Sequence, residues 1–388
     1  MRILRVIATM KPESGGPCQG IRNSIPVLME LGIVNEVVCF DDADIDYSQD
    51  PFHIHAIGKA KGPYAYQPLL SSWLAENLGR FDVVIIHGLW LYNSYGTYRA
   101  WRKFQNKQLN SPKLYVMPHG MLDPYFQKAE GRRLKALRNL VFWKLIESKV
   151  INGVDGVLFT CEQELLLARQ TFNPYCPQQE LDVGYGVPAP PLYDDSTMKN
   201  GLEEQSLCIM PDNYILFLSR IHEKKGVDLL IKAYLKLHNK NVPDLVIAGP
   251  GLDTAFGIKM QRLASKSNHI HFTGMLTGDA KWGAFYGAEA FILPSHQENF
   301  GIAVAESLAC SIPVIITKRV NIFKEIAKHN AGLVAENNED SVFDQLKKWF
   351  LMSSSEKEVM KSNAFNCFQK EFTVQSHANR MISKISII

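Results

Sequence analysis

The chain has 388 residues, 46% of them hydrophobic, and a formal net charge of +3. That length exceeds what one hydrophobic core serves and suits two domains of about 200 residues each, while so small a basic excess argues against a nucleic-acid-binding protein. The seven cysteines (Cys18, Cys39, Cys161, Cys176, Cys208, Cys310, Cys367) are scattered with no C-x-x-C pair, which argues against a disulfide frame or a zinc site and for reduced thiols.

Residues 1–17, MRILRVIATMKPESGGP, hold a short apolar run that ends in a Gly-rich turn instead of a small-residue cleavage site. No signal peptide is expected, and no uninterrupted apolar stretch predicts a membrane span. The expected location is therefore cytoplasmic. Residues 2–8 read as a buried strand, followed by the turn with Gly15 and Gly16 and a helix to residue 31. A strand, a glycine turn and a helix make either a loop that faces phosphate or sugar, or a plain tight turn. The G-x-G-x-x-G dinucleotide pattern is missing, which argues against a simple dehydrogenase.

Apolar runs recur at 34–40, 53–57, 81–87, 114–117, 156–160 and 182–187, with helical patterns between most of them. Continuous apolar strands alternating with helices predict a parallel sheet covered on both faces, and ligands of such sheets bind beyond the carboxyl ends of strands. Three polar clusters fall at such ends: the Gly15-Gly16 loop, His87 to Trp90, and Pro118 to Met121. His119, directly after a strand, can meet a sugar hydroxyl or a developing charge, or serve structure alone. His87 and Trp90 either border an acceptor site or pack.

Residues 128–149 form a basic amphipathic stretch, with Leu134, Leu137, Val141 and Leu145 at helical spacing. Such a helix can lie on an anionic membrane surface, or pack on the sheet with a solvated basic face. Residues 188–206 are Pro-rich and then polar, and read as the linker between domains.

The second half restarts the alternation. A strand at 214–218 leads into Ser219, Arg220 and Lys225-Gly226, then a helix at 227–238. Two cations beside the bare N–H groups of a helix start suit a diphosphate. Strands follow at 245–248, 270–274, 290–293, 313–317 and 332–335. The third of these five feeds the stretch 294–313, PSHQENFGIAVAESLACSIP. A polar turn there opens a helix at 302–310. The helix start attracts anions, Gly301 lets a ligand approach the backbone, and Glu306 lies about one turn inside. Glu306 could accept from a diol such as a ribose, and Glu298 from a second polyol. Phosphate donors between two diol acceptors describe a nucleotide-sugar site. Helical periodicity then runs from 341 to the end.

The strings S-R-x4-K-G at 219–226 and E-x7-E at 298–306, in that order after apolar strands, resemble those of the family 4 retaining glycosyltransferases. The resemblance covers essentially the whole chain and is sharpest in the second half. It implies a GT-B fold: an α/β architecture of two Rossmann-like domains with parallel sheets facing across a cleft. Residues 1–190 would form the acceptor-side domain, 207–371 the nucleotide-sugar domain, and 372–388 a helix crossing back onto the first. It implies that Arg220 and Lys225 hold the diphosphate, Glu306 the ribose and Glu298 the donor hydroxyls. Asn299, Phe300 and Gly301 would offer N–H groups, Leu276 would pack on the base, His119 would face the sugar, and Gly15 and Gly16 would touch donor or acceptor. The family often carries N-G-V-D where this chain has Tyr185 to Pro188, so Tyr185 receives no role.

The activity implied is transfer of a hexose, with retention, from a nucleoside diphosphate sugar to a saccharide or lipid-linked saccharide in polysaccharide biosynthesis. UDP-glucose is the first reading of the donor, with UDP-galactose, GDP-mannose and UDP-N-acetylglucosamine open. No cofactor is expected, and no metal: the D-x-D at Asp42 to Asp44 follows an early strand, in the half that would not bind nucleotide. A nucleotide-sugar epimerase of similar architecture and a non-enzymatic sugar-nucleotide-binding protein are the alternatives. The first would turn over donor without acceptor, and the second would tolerate loss of Glu298 or Lys225.

Overall fold

The structure, a computed structural model, describes every residue except 109, 130–131, 238–241 and 386–388. The last position of the helix expected at 227–238, residues 130–131 of the basic stretch and the end of the expected crossover helix therefore lie outside the described residues. The chain divides into two units, one of residues 1–186 and 374–388 and one of residues 187–373.

The first unit is built on strands β1 (Arg2–Val6), β2 (Val34–Cys39), β3 (His53–Ala56), β4 (Val83–His87), β5 (Lys113–Met117), β6 (Gly156–Phe159) and β7 (Glu180–Asp182). All pair in parallel, in the order β3-β2-β1-β4-β5-β6-β7. Because side chains alternate across a strand, both faces need apolar residues. Leu4, Val6, Val84, Ile86, Leu114 and Val116 pack on one side with Trp101 and Trp143. Ile3, Ile85 and Tyr115 pack on the other, with Leu28 of the helix Gly16–Glu30 and Met381 and Ile385 of the last helix, Val374–Ile385.

The second unit is built on β8 (Tyr214–Leu218), β9 (Asp244–Ala248), β10 (Ile270–Gly274), β11 (Ala290–Leu293), β12 (Val314–Thr317) and β13 (Gly332–Ala335), also all parallel, in the order β10-β9-β8-β11-β12-β13. In each sheet the chain leaves a central strand to one side and later returns to the other. The reversal falls between β1 and β4 in the first sheet and between β8 and β11 in the second. Such a switch point opens a crevice at the strands' carboxyl ends.

The stretch expected as a linker is not one. Residues 188–206 include the helix Asp195–Gln205, capped by the Asp194 carboxylate, which accepts the Thr197 N–H at 2.9 Å. Its Met198 and Leu202 are buried where it packs on the helix Gly278–Tyr286 of the second unit. The unit boundary falls earlier, after Gly186. Val187 N–H donates to the Phe372 carbonyl at 2.8 Å, and Val187 bridges Thr373 in parallel, so the second unit begins and ends on paired backbone.

Candidate active site

The second unit gathers its polar groups at the switch point. Arg220 stands two residues past β8 and is exposed; among the described residues it has no hydrogen-bond or ion-pair partner. The turn from β9 abuts this loop, where Ile221 N–H donates to the Pro250 carbonyl at 2.8 Å. The chain then makes one tight turn, Glu223–Lys225, and reaches Gly226 at φ +70°. A Cβ at Gly226 would stand 2.0 Å from the Pro294 carbonyl oxygen, so only glycine permits this approach. That contact brings the loop after β8 against the turn after β11. His296 N–H donates to the Lys224 carbonyl at 2.9 Å, and the Lys225 ammonium pairs with the Glu298 carboxylate. The two side chains are 11% and 18% exposed, enough to reach a ligand and dry enough to strengthen the attraction.

Glu298 is also fixed by its backbone. Its N–H donates to the Arg319 carbonyl at 2.8 Å, and its carbonyl accepts from Asn321 N–H at 3.0 Å. Gly301, at φ +84°, opens the helix Ile302–Ala309 with no side-chain cap, leaving the helix start to an outside acceptor. Phe300 is buried edge-on against Phe372, with centroids 5.5 Å apart, so its ring anchors the turn and only its backbone can face a ligand. Asn299 lies 3.5 Å from the Asn321 amide nitrogen. Glu306 has its own lysine: Lys281 Nζ lies 2.9 Å from Glu306 Oε1 and 4.0 Å from the centre of the Trp282 ring. Leu276 is buried. Lys225 and Glu298 are thus joined directly, Arg220 sits at the end of the neighbouring strand, and Glu306 is held separately one turn into the helix. Sequence reasoning missed Lys281, which had no signal beyond a lysine on a helix.

In the first unit Gly15, at φ +90°, precedes the helix that begins at Gly16, and the Tyr185 hydroxyl donates to the Gly16 carbonyl at 2.8 Å. Tyr185, left without a role, therefore steadies this loop. His119 follows β5 at φ +51°, and the N–H of Gly120 after it donates to buried Glu164, which also accepts from Thr160. His119 Nε2 lies 2.9 Å from His87 Nδ1, and His87 Nε2 lies 3.4 Å from Arg5 Nη1. Burial, with the Arg5 charge behind it, pushes the His119 imidazole down to about 3. Burial also pushes His87 well below its ordinary value, His377 down to about 4 and the Arg5 guanidinium down to about 10. The arginine in the middle of the apolar strand RILRV was the signal for this cluster. Trp90, at φ +72°, is pinned by Glu147, whose fully buried carboxyl accepts Trp90 N–H at 2.9 Å and the Ser94 hydroxyl at 2.7 Å. Burial pushes Glu147 up to about 7.

Residues 201–366 match the model of the family described as glycosyl transferases group 1. Among curated proteins, an uncharacterised glycosyltransferase of Methanocaldococcus jannaschii is 28% identical over 41% of this chain and 43% of its own length. The GDP-mannose-dependent alpha-(1-6)-phosphatidylinositol monomannoside mannosyltransferase of Mycolicibacterium smegmatis is 24% identical over 57% of this chain and 62% of its own. The chain thus spans about half the length of these curated relatives. Among solved structures, the Anabaena protein HepE with UDP and glucose superposes over 100% of both chains, with a TM-score of 0.72 at 14% identity. Sucrose-phosphate synthase of Thermosynechococcus elongatus does so over 100% of this chain and 98% of its own, at 0.71 and 16%. The two parallel sheets, the polar turns at their switch points and these likenesses agree: residues 201–366 carry the pattern of the group 1 glycosyl transferases, and the chain has the GT-B fold.

Proposed function

We propose that the protein is a retaining hexosyltransferase of the family 4 type, moving glucose from UDP-glucose to a saccharide or lipid-linked saccharide in polysaccharide biosynthesis. The observation that carries the reading is the Lys225–Glu298 pair at the β8/β11 switch point, beside Arg220, unpartnered among the described residues, and the helix start at Gly301, which has no side-chain cap among them. Arg220 and Lys225 would neutralise the diphosphate as it departs, with no metal ion needed for charge. Glu306 would accept from the ribose and Glu298 from the donor hydroxyls. The acceptor hydroxyl oxygen bonds to the anomeric carbon as the bond from that carbon to the diphosphate oxygen breaks on the same face. The hydroxyl proton passes to the departing phosphate oxygen. UDP-glucose is favoured as donor because the Anabaena structure of the same fold is described with it; GDP-mannose, named for the mycobacterial relative, is second.

A thermal-shift panel of UDP, GDP, ADP and their sugars tests this. A ligand at a hundredfold its Kd adds about 2.7 kcal/mol. A flat response to all three nucleotides would overturn the reading. Turnover without acceptor would indicate an epimerase instead, and loss of turnover on adding EDTA would overturn metal independence.

We further propose that residues 128–149 touch the inner face of an anionic membrane, where a lipid-linked acceptor would lie. Among the described residues no helix is long and apolar enough to cross a membrane. The helix Arg133–Phe142 and the wide turn Trp143–Glu147 instead bury Ala136, Asn139, Trp143 and Glu147 and turn Leu134, Leu137, Val141 and Leu145 outward. Leu134 is 85% exposed and Leu145 61%. Exposed Arg133, Lys135, Arg138, Lys144 and Lys149 stand beside this stripe and form no ion pair among the described residues. An apolar stripe bordered by cations suits an anionic bilayer surface. Co-sedimentation with vesicles containing phosphatidylglycerol should pellet the protein at low salt and release it at high salt, and Leu134→Glu with Leu145→Glu should abolish pelleting. No pelleting at low salt would refute membrane contact.

A further inference from the structure

The Arg5–His87–His119 chain fixes where protons sit. A guanidinium can only donate, so His87 Nε2, 3.4 Å from Arg5 Nη1, must accept. A neutral imidazole with Nε2 accepting carries its proton on Nδ1. His87 Nδ1 lies 2.9 Å from His119 Nε2, and there it must donate. His119 Nε2 then accepts, and the remaining proton of a neutral His119 sits on Nδ1. Nothing bonds that nitrogen among the described residues.

We propose that Arg5 is a positioning residue: acting through His87, it locks His119 as the Nδ1–H tautomer, so that His119 presents a hydrogen-bond donor and not a base to its ligand. Arg5 is itself held in place. It is 2% exposed, its Nε donates to Asn35 Oδ1 at 3.2 Å, and Asn35 in turn donates to the Ile33 carbonyl. Asn93 holds the His87 backbone, donating to its carbonyl at 2.9 Å. The titratable or charged groups facing His87 and His119 among the described residues are Arg5 from β1 and His377 from the last helix, with Glu164 on the backbone of Gly120. The nearest fixed charge is therefore positive, and a second positive charge among buried rings is disfavoured. His119 stays neutral across the physiological range and cannot take up the acceptor's proton. Its ligand is an acceptor oxygen. That this oxygen is a sugar hydroxyl rests on the transferase reading, whereas the proton placement does not.

Ring-nitrogen NMR of histidine-labelled, unliganded protein tests the assignment, with His87→Gln and His119→Gln locating the signals. The expected spectrum has both rings protonated on Nδ1 and bare on Nε2, unchanged from pH 5 to pH 8. In Arg5→Met, mixed tautomers and a His119 titration between pH 5 and pH 7 should appear. Arg5→Lys, which keeps a buried donor, should restore the wild-type pattern. With donor and acceptor supplied, Arg5→Met should lower kcat/KM tenfold or more, with rescue by Arg5→Lys. A wild-type His119 protonated on Nε2, or titrating near 6.5, overturns the proposal, and so does an Arg5→Met spectrum identical to wild type. If Arg5→Met does not fold, the wild-type spectrum alone decides. The expected spectrum with no turnover of any nucleotide sugar keeps the proton placement and discards the transferase reading.

Discussion

Gly226 and Lys225 are neighbours with separable duties. Gly226 lets two loops meet, and Lys225 uses the meeting. Gly226→Ala must push the Pro294 carbonyl away, so urea denaturation should show a loss of about 2 kcal/mol or more. Lys225→Ala leaves the backbone alone but removes a charge from the proposed diphosphate site. It should cost roughly a hundredfold in kcat/KM, by analogy with loss of one transition-state donor, with little change in melting temperature. Glu147 gives a stability test with a definite sign. Burial raises its carboxyl from 4.5 to about 7, so the folded protein holds this proton where the unfolded chain has lost it. Its contribution is greatest below about pH 4.5 and falls away as pH rises towards 7, by about 3 kcal/mol in all. Glu147→Gln keeps an acceptor for Trp90 N–H and cannot ionise. The stability difference between variant and wild type should therefore widen in the variant's favour between those pH values and be level above them; a difference that does not move with pH would refute it.

At the scale of elements, strands were legible because their burial on both faces leaves unbroken apolar runs, as in VVIIH of β4. The loops after β8 and β11 were legible because Gly226 and Gly301 answer to backbone geometry that few other residues satisfy. The helix Asp195–Gln205 was not, because its inward face is little more than Met198 and Leu202 in a polar string that reads as linker. Leu202→Ala should cost about 2–3 kcal/mol by equilibrium unfolding, where a true linker would show nothing. The pairings of Glu298 and Glu306 with lysines were beyond sequence reasoning, since Lys225 lies 73 residues from Glu298 and Lys281 lies 25 from Glu306, and only the fold brings them together. Arg5 was visible as a charge in an apolar strand, but its partners come from three separate segments.

Across the whole molecule, the last helix is part of the first unit's core, with His377, Ala378, Met381 and Ile385 buried. Truncation after residue 373 should therefore unfold the first unit while sparing the second, seen as loss of one calorimetric transition. The fragment 187–373 alone should fold and, on the proposed reading, give a thermal shift with nucleoside diphosphate.

That fragment is an insertion. Its first residue, Val187, and its last, Thr373, are zipped side by side by one backbone bridge, so its two ends already touch. A short artificial loop could join them and new termini be cut elsewhere, giving a circularly permuted second unit; a host keeping residues 1–186 and 374–388 would need only a brief tether to close the gap.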